Sequence, residues 1–175
     1  MSVVVGVVTD TEVVIAADTS LHGETISHSE AKLHETDSAY IGWVGSPLWG
    51  SFVRNWTEAL NGRRTIEAFG MAWFDWAREK QHGDMSGLTY LVNGAFLIGT
   101  KASGRLFEVT GDGAVCEHHR YAAIGGGEAV AIGALSVVYG GNGEWVARRA
   151  VEAAIRHAPS CGGSVNILGA TREKP

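Results

Sequence analysis

Cysteine is almost absent: Cys116 and Cys161 are the only two in 175 residues. A chain of this length buries roughly 70% of the surface its unfolded form exposes and needs no covalent staple, so both read as reduced thiols. Proline is scarce as well, with three residues, and no Ser/Pro-rich stretch precedes the short TREKP tail. That leaves no interdomain linker and makes residues 1–175 one domain. Basic charge is in deficit, with 14 Lys and Arg against 19 Asp and Glu and a net charge of −5. Such a balance offers no general attraction to nucleic acid or to an anionic membrane. The longest apolar runs reach only about half a membrane span, and the N-terminus lacks the basic region and small-residue cleavage site of a signal peptide. A cytoplasmic protein without membrane or nucleic-acid partners is therefore expected. Apolar residues at 45% and charged residues at 19% also exclude disorder, collagen and coiled coil.

What the sequence has in excess is glycine, 24 residues, gathered at 125–127, 140–141 and 162–163 without a fixed period. These clusters mark tight turns between elements. The opening SVVVGVV and VVIAAD are two β-branched runs joined by a hairpin-sized TDTE turn, and being apolar throughout they are expected to be covered on both faces. Residues 38–45 form a third buried strand, ending at Ser46-Pro47, where serine caps a helix and proline occupies its first position. Leu48, Phe52, Trp56 and Leu60 then recur at helical spacing up to Gly62, and Ile66, Phe69, Trp73 and Trp76 stripe a second helix from Thr65. These aromatics are read as core. Met71 and Phe74 fall off the stripe, towards a neighbour.

From Gly87 to Ile124 short β-rich segments alternate with Asn-Gly, Ser-Gly and Asp-Gly pairs, the signature of an antiparallel meander. Residues 128–139 and 144–157 are Ala-rich helices divided by GGNG, and SVNILGA closes the chain as a strand. The order of strands, two helices, strands, two helices and a strand predicts an α+β fold, a four-layer α/β/β/α sandwich of two antiparallel sheets.

Few motifs suggest chemistry. The Gly125–Gly127 run precedes a helix but lacks a Walker-type Lys-Ser/Thr and carries Glu128 where a phosphate would sit, so it reads as a strand-to-helix turn. Cys116 and His118 share one side of a strand with His119 on the other, which makes two converging ligands and no structural zinc site. No cofactor and no metal are expected. Cys161 with His157 forms a nucleophile–base pair only if a third group orients it, and none is apparent.

The N-terminus is more telling. Ser2 follows the initiator methionine, and a small second residue permits its removal, leaving a free α-amine on a serine. An α-amine has a pKa of about 7.7 to 8.0, so nucleophile and general base would be one residue at neutral pH. The hydroxyl also needs a cation beside it and an anion to hold that cation. Lys32 and Asp18 fit these roles, with the Gly45 amide facing a developing oxyanion. Read singly, Asp18 is a turn cap and Lys32 a solvated surface lysine.

Taken together, Ser2, the VVIAADTS segment with Asp18, Lys32-Leu33, YIGWVG, YAAIGGGEA and SCGGSVNIL resemble a proteasome β-subunit across almost the whole chain. The likeness extends to the bacterial HslV peptidase and, more strongly, to small bacterial proteasome homologues with one β-type chain. The resemblance implies an N-terminal nucleophile hydrolase fold, assembly of identical chains into a stacked double ring, and hydrolysis of unfolded polypeptides in an inner chamber. An ATP-dependent unfoldase is an implied partner. Carried over by position, Ser2 is the nucleophile, Asp18 and Lys32 the charged pair, Gly45 the oxyanion amide, and Ser20 part of the substrate-cleft wall. The alternative is a ring scaffold with weak or no proteolysis. The sequence departs from the family in having serine for threonine at the nucleophile, Gly126 for a serine, and Ala158 and Cys161 for an Asp and a Ser. The loop between Asp18 and Lys32 is shorter by about two residues.

Overall fold

The computed structural model describes residues 2–20, 32–80, 83–86 and 89–171. Their fold is the four-layer sandwich the sequence predicts. One sheet has the order β10-β1-β2-β11, built from β1 (Val3–Val8), β2 (Glu12–Asp18), β10 (Tyr121–Gly125) and β11 (Val165–Thr171). The other has the order β3-β4-β7-β8-β9, from β3 (Leu33–Glu35), β4 (Ala39–Gly45), β7 (Gly94–Thr100), β8 (Leu106–Val109) and β9 (Val115–His118). Every pairing is antiparallel. Helices α1 (Leu48–Asn55) and α2 (Arg63–Glu79) cover the second sheet, while α3 (Glu128–Val138) and α4 (Gly143–His157) cover the first.

The period-2 alternation of strands sorts the apolar residues into three layers. Val3, Val5 and Val7 of β1, with Val14 and Ala16 of β2, face α3 and α4 in a core of small and branched residues. Val4, Val13, Ile15 and Ala17 point the other way and meet Tyr40, Val44 and Leu97 between the sheets. This double coverage is why both opening runs are apolar at every position. Ala39, Ile41 and Trp43 of β4 and Phe96 and Ile98 of β7 then pack under α1 and α2 against Trp49, Phe69 and Trp73. The two sheets approach closely at Gly42, where an added Cβ would sit 2.5 Å from a Val4 methyl.

Several details differ from the sequence reading. The first helix ends at Asn55 because Trp56 is extended (ψ 120°), and Leu60 reaches the core from a non-helical segment whose amide donates to Ser38 Oγ at 2.8 Å. Its buried face is Trp49, Gly50 and Val53, while Leu48 is 42% exposed. The meander is broken at its end: β7, β8 and β9 are consecutive neighbours, but β10 crosses to pair with β1. A separate hairpin joins β5 (Gly83–Ser86) and β6 (Thr89–Val92), and β5 was not foreseen. Phe74 packs partly buried on the aromatic core with Arg78 over its ring, so only Met71, 55% exposed, faces outward as expected.

Phe96 is fully buried, edge-on to Trp73 at 4.7 Å and to Phe69 at 5.1 Å. Phe96→Ala should lower the unfolding free energy by about 3 to 5 kcal/mol. Val137→Ala, at a position 84% exposed on α3, should change it by less than about 0.5 kcal/mol. Denaturant titration of both variants checks the assignment of core and surface.

Candidate active site

The site is organised around one carboxylate. Asp18 ends β2 between β1 and β11 and is 1% exposed. Its Oδ1 accepts the amide N–H of Val3 at 2.9 Å and the Lys32 ammonium at 2.6 Å. Its Oδ2 accepts the Ser20 hydroxyl at 2.5 Å and the amide N–H of Gly162 at 3.1 Å. A buried charge must be paired and hydrogen-bonded to persist, and Asp18 is both. It is therefore no turn cap, and Lys32, which is also buried, is no surface lysine.

Local structure explains why these groups meet. Pairing of Val4 with Ala17 brings the residue before Val4 level with Asp18. Lys32 directly precedes β3, whose Leu33 pairs with Gly42, and its carbonyl accepts from the Trp43 amide at 3.1 Å. The chain returns from α4 at Gly162, whose carbonyl accepts from the Ser20 amide at 3.1 Å. The Gly162 amide thus completes the carboxylate's shell from the far end of the sequence.

Ser2 is 6% exposed, immediately before β1, so the ammonium of Lys32 and the amide that follows Ser2 share one acceptor atom. Beside it opens a cleft of about 420 Å³, lined by Ser2, Val44, Gly45, Asn93, Gly94, Ala95, Gly125 and Gly126. Gly45, at φ +104°, lies on the wall of this cleft. The backbone at Gly125 passes so near Ser2 that an added Cβ would lie 2.3 Å from the Ser2 carbonyl oxygen. Ser20 is not among the residues lining this cleft: its hydroxyl is spent on Asp18.

The sequence reading thus named Ser2 and Gly45, which line the cleft, Asp18 and Lys32, which pair one residue away from Ser2, and Ser20, whose hydroxyl the fold gives to Asp18. It missed the amides of Val3 and Gly162, which no side-chain motif could announce, and Asn93 and Gly94, whose Asn-Gly pair was read only as a turn. Cys161 is buried against Gly127 and Ser160, and burial pushes its thiol up from the ordinary value, away from the thiolate a nucleophile needs. His157 is exposed at the end of α4. On β9, His118 bonds Glu108 at 2.9 Å while Cys116 is exposed across from it. Among the described residues no group of three or more His, Cys, Asp or Glu is arranged to hold a metal, and no helix is long and apolar enough to cross a membrane. Met1, residues 21–31 and the last four residues of the tail lie outside the described residues.

No protein-family model and no curated protein matches this chain. Solved structures do. BPH of Thiobacillus denitrificans superposes with a TM-score of 0.81 at 20% identity, covering 99% of this chain and all of that one, and it has also been solved in complex with epoxomicin. Anbu (ancestral beta-subunit) from Yersinia bercovieri gives 0.78 at 16% identity, over 97% of this chain and 82% of that one. The eukaryotic HslV of Trypanosoma brucei gives 0.67 at 19%, over 95% and 98%. The fold is that of the N-terminal nucleophile hydrolases. Within that class, the structures it resembles are the HslV-like, proteasome-type β subunits.

Loss of water holds the Lys32 ammonium below its ordinary value of 10.5, although the hydrogen bond and charge of Asp18 pull it upward. Between the depressed folded value and 10.5 the unfolded chain binds more protons at this position than the folded one. Stability contributed by Lys32 therefore rises with pH through that window. In urea titrations carried from neutral pH towards 10.5, the wild type should gain stability relative to Lys32→Met. A constant difference between the two would mean that Lys32 stays charged throughout.

Proposed function

We propose that this chain is the subunit of a self-compartmentalising peptidase that hydrolyses unfolded polypeptides through Ser2, exposed by removal of Met1. The observation that carries the reading is the buried Asp18 holding Lys32 and the Val3 amide on one oxygen, beside Ser2 and a cleft that Gly45 also lines. Two opposite charges are buried on an oxygen that also accepts the amide following Ser2, a cost that a purely structural role does not require.

In this mechanism the free amine of Ser2 takes the proton from its own hydroxyl, directly or through a water, as Oγ attacks the peptide carbonyl carbon. The Lys32 ammonium favours the oxygen anion, and Asp18 fixes the lysine. Negative charge on the carbonyl oxygen meets the Gly45 amide. The C–N bond breaks as the Ser2 amine passes its proton to the leaving amine. Water then attacks the Ser2 ester by the same relay, releasing the acid and restoring the hydroxyl. Serine lacks the methyl group that restricts a threonine rotamer, so attack from Ser2 is less preorganised.

A nucleophile that accepts any unfolded chain needs enclosure, and a stacked double ring of identical chains supplies it, with an ATP-dependent unfoldase feeding the chamber in the cytoplasm. A second reading, a ring scaffold with little proteolysis, draws on Gly126, Ala158 and Cys161, which offer neither carboxylate nor hydroxyl to orient the Ser2 amine. Removal of Met1 separates the two.

Intact-mass measurement of the native protein should show the loss of one methionine. A peptide epoxyketone such as epoxomicin, which needs the hydroxyl and free amine of one terminal residue, should then add to Ser2 alone. An adduct on Cys161, or a retained Met1, overturns the peptidase reading. Lys32→Ala should lower peptide hydrolysis more than about 10²-fold with the fold intact. Light scattering on the eluting protein at micromolar concentration should give 12 or 14 chains, roughly 220 to 260 kDa. A stable monomer or dimer would defeat both readings.

A further inference from the structure

Two glycines stand opposite one another where the cleft needs its stiffest wall. Gly45 pairs with Gly94 at the end of the β4–β7 ladder, and both line the cleft with Ser2. An amide that stabilises an oxyanion must be held within a few tenths of an ångström, yet glycine is the residue least able to hold its own backbone. The stiffness has to come from elsewhere. Trp49, 1% exposed on the first turn of α1, supplies it. Its indole N–H donates to the carbonyl of Asn93 at 3.2 Å, the residue just before Gly94. The same nitrogen would lie 2.7 Å from a Cβ on Gly45 and 2.4 Å from one on Gly94, so the edge of the ring fills the space that a side chain on either residue would take. On its other side Trp49 meets Trp73 and Trp76 edge-on at 5.5 Å and 6.0 Å, which ties it to the aromatic core under α2.

We propose that Trp49 is a positioning residue for the peptidase site: its indole clamps the Gly45–Gly94 pair and thereby fixes the Gly45 amide against the reacting carbonyl. The inference rests on the reading of Gly45 as oxyanion donor. Trp73 provides an internal control, since it is fully buried in the same cluster but its indole nitrogen has no hydrogen-bond partner among the described residues.

Trp49→Phe and Trp73→Phe are compared in the assembled protein by two measurements. Hydrogen exchange of the segment spanning residues 42–49 should accelerate in Trp49→Phe and stay near wild type in Trp73→Phe. Peptide hydrolysis by Trp49→Phe should fall about 10-fold or more in kcat, with KM within about twofold, because the lost interaction matters mainly in the transition state. Trp73→Phe should keep its kcat. Equal exchange and equal kcat in the two variants would overturn the proposal. If Trp49→Phe does not assemble, benzothienylalanine at position 49 keeps the ring's shape and removes only the N–H, and the same two outcomes apply. Should the wild type hydrolyse nothing, the peptidase reading falls by itself, and the exchange comparison still decides whether Trp49 clamps the glycines.

Discussion

Everything at the N-terminal end of the molecule depends on where the Asp18 charge goes. A carboxylate removed from water this completely would neutralise itself or unfold its surroundings unless each oxygen were satisfied. Here the four donors come from β1, from the residue before β3, from the segment after β2 and from the turn before β11. The carboxylate therefore ties the end of β2 to β1, to the residue before β3 and, 144 residues further on, to the turn before β11. It makes the position of Ser2 a property of the whole first sheet instead of a loose terminus. Removing any one donor leaves the charge under-satisfied, which makes the cluster cooperative in the sense that its members stand or fall together.

The fold was legible because both strand faces of the opening hairpin are apolar, and only a sheet covered on each side calls for that pattern. The order of elements then left a four-layer sandwich as the arrangement that buries them all. The limits of α1 were not legible: Leu48, Phe52, Trp56 and Leu60 keep helical spacing, yet tertiary packing of Trp49 and Val53 chose a neighbouring face, and Leu60 reaches the core without a helix. Nor was the crossing of β10 to β1, because β9 and β10 are joined by only His119 and Arg120, and neither residue type tells which sheet receives the next strand.

The site divides the same way. Side chains with chemistry, Ser2, Asp18 and Lys32, can be read from residue type and position. Backbone donors such as the Val3 and Gly162 amides cannot, since every residue but proline carries one. Ser20 illustrates the boundary: its proximity to Asp18 in sequence was visible, but whether its hydroxyl would face a cleft or the carboxylate was settled only by the return of Gly162.

The two helix layers are chemically unlike. The core beneath α3 and α4 is made of valine, alanine and a few larger aliphatics, whereas that beneath α1 and α2 holds most of the large rings. Of six tryptophans, Trp43, Trp49, Trp56, Trp73 and Trp76 belong to the α1–α2 side, and only Trp145, nearly half exposed on α4, lies on the other. Intrinsic fluorescence of this protein is consequently a one-sided optical probe. It follows melting of the aromatic half and reads the aliphatic half, which carries β1 and Ser2, through a single solvent-facing indole.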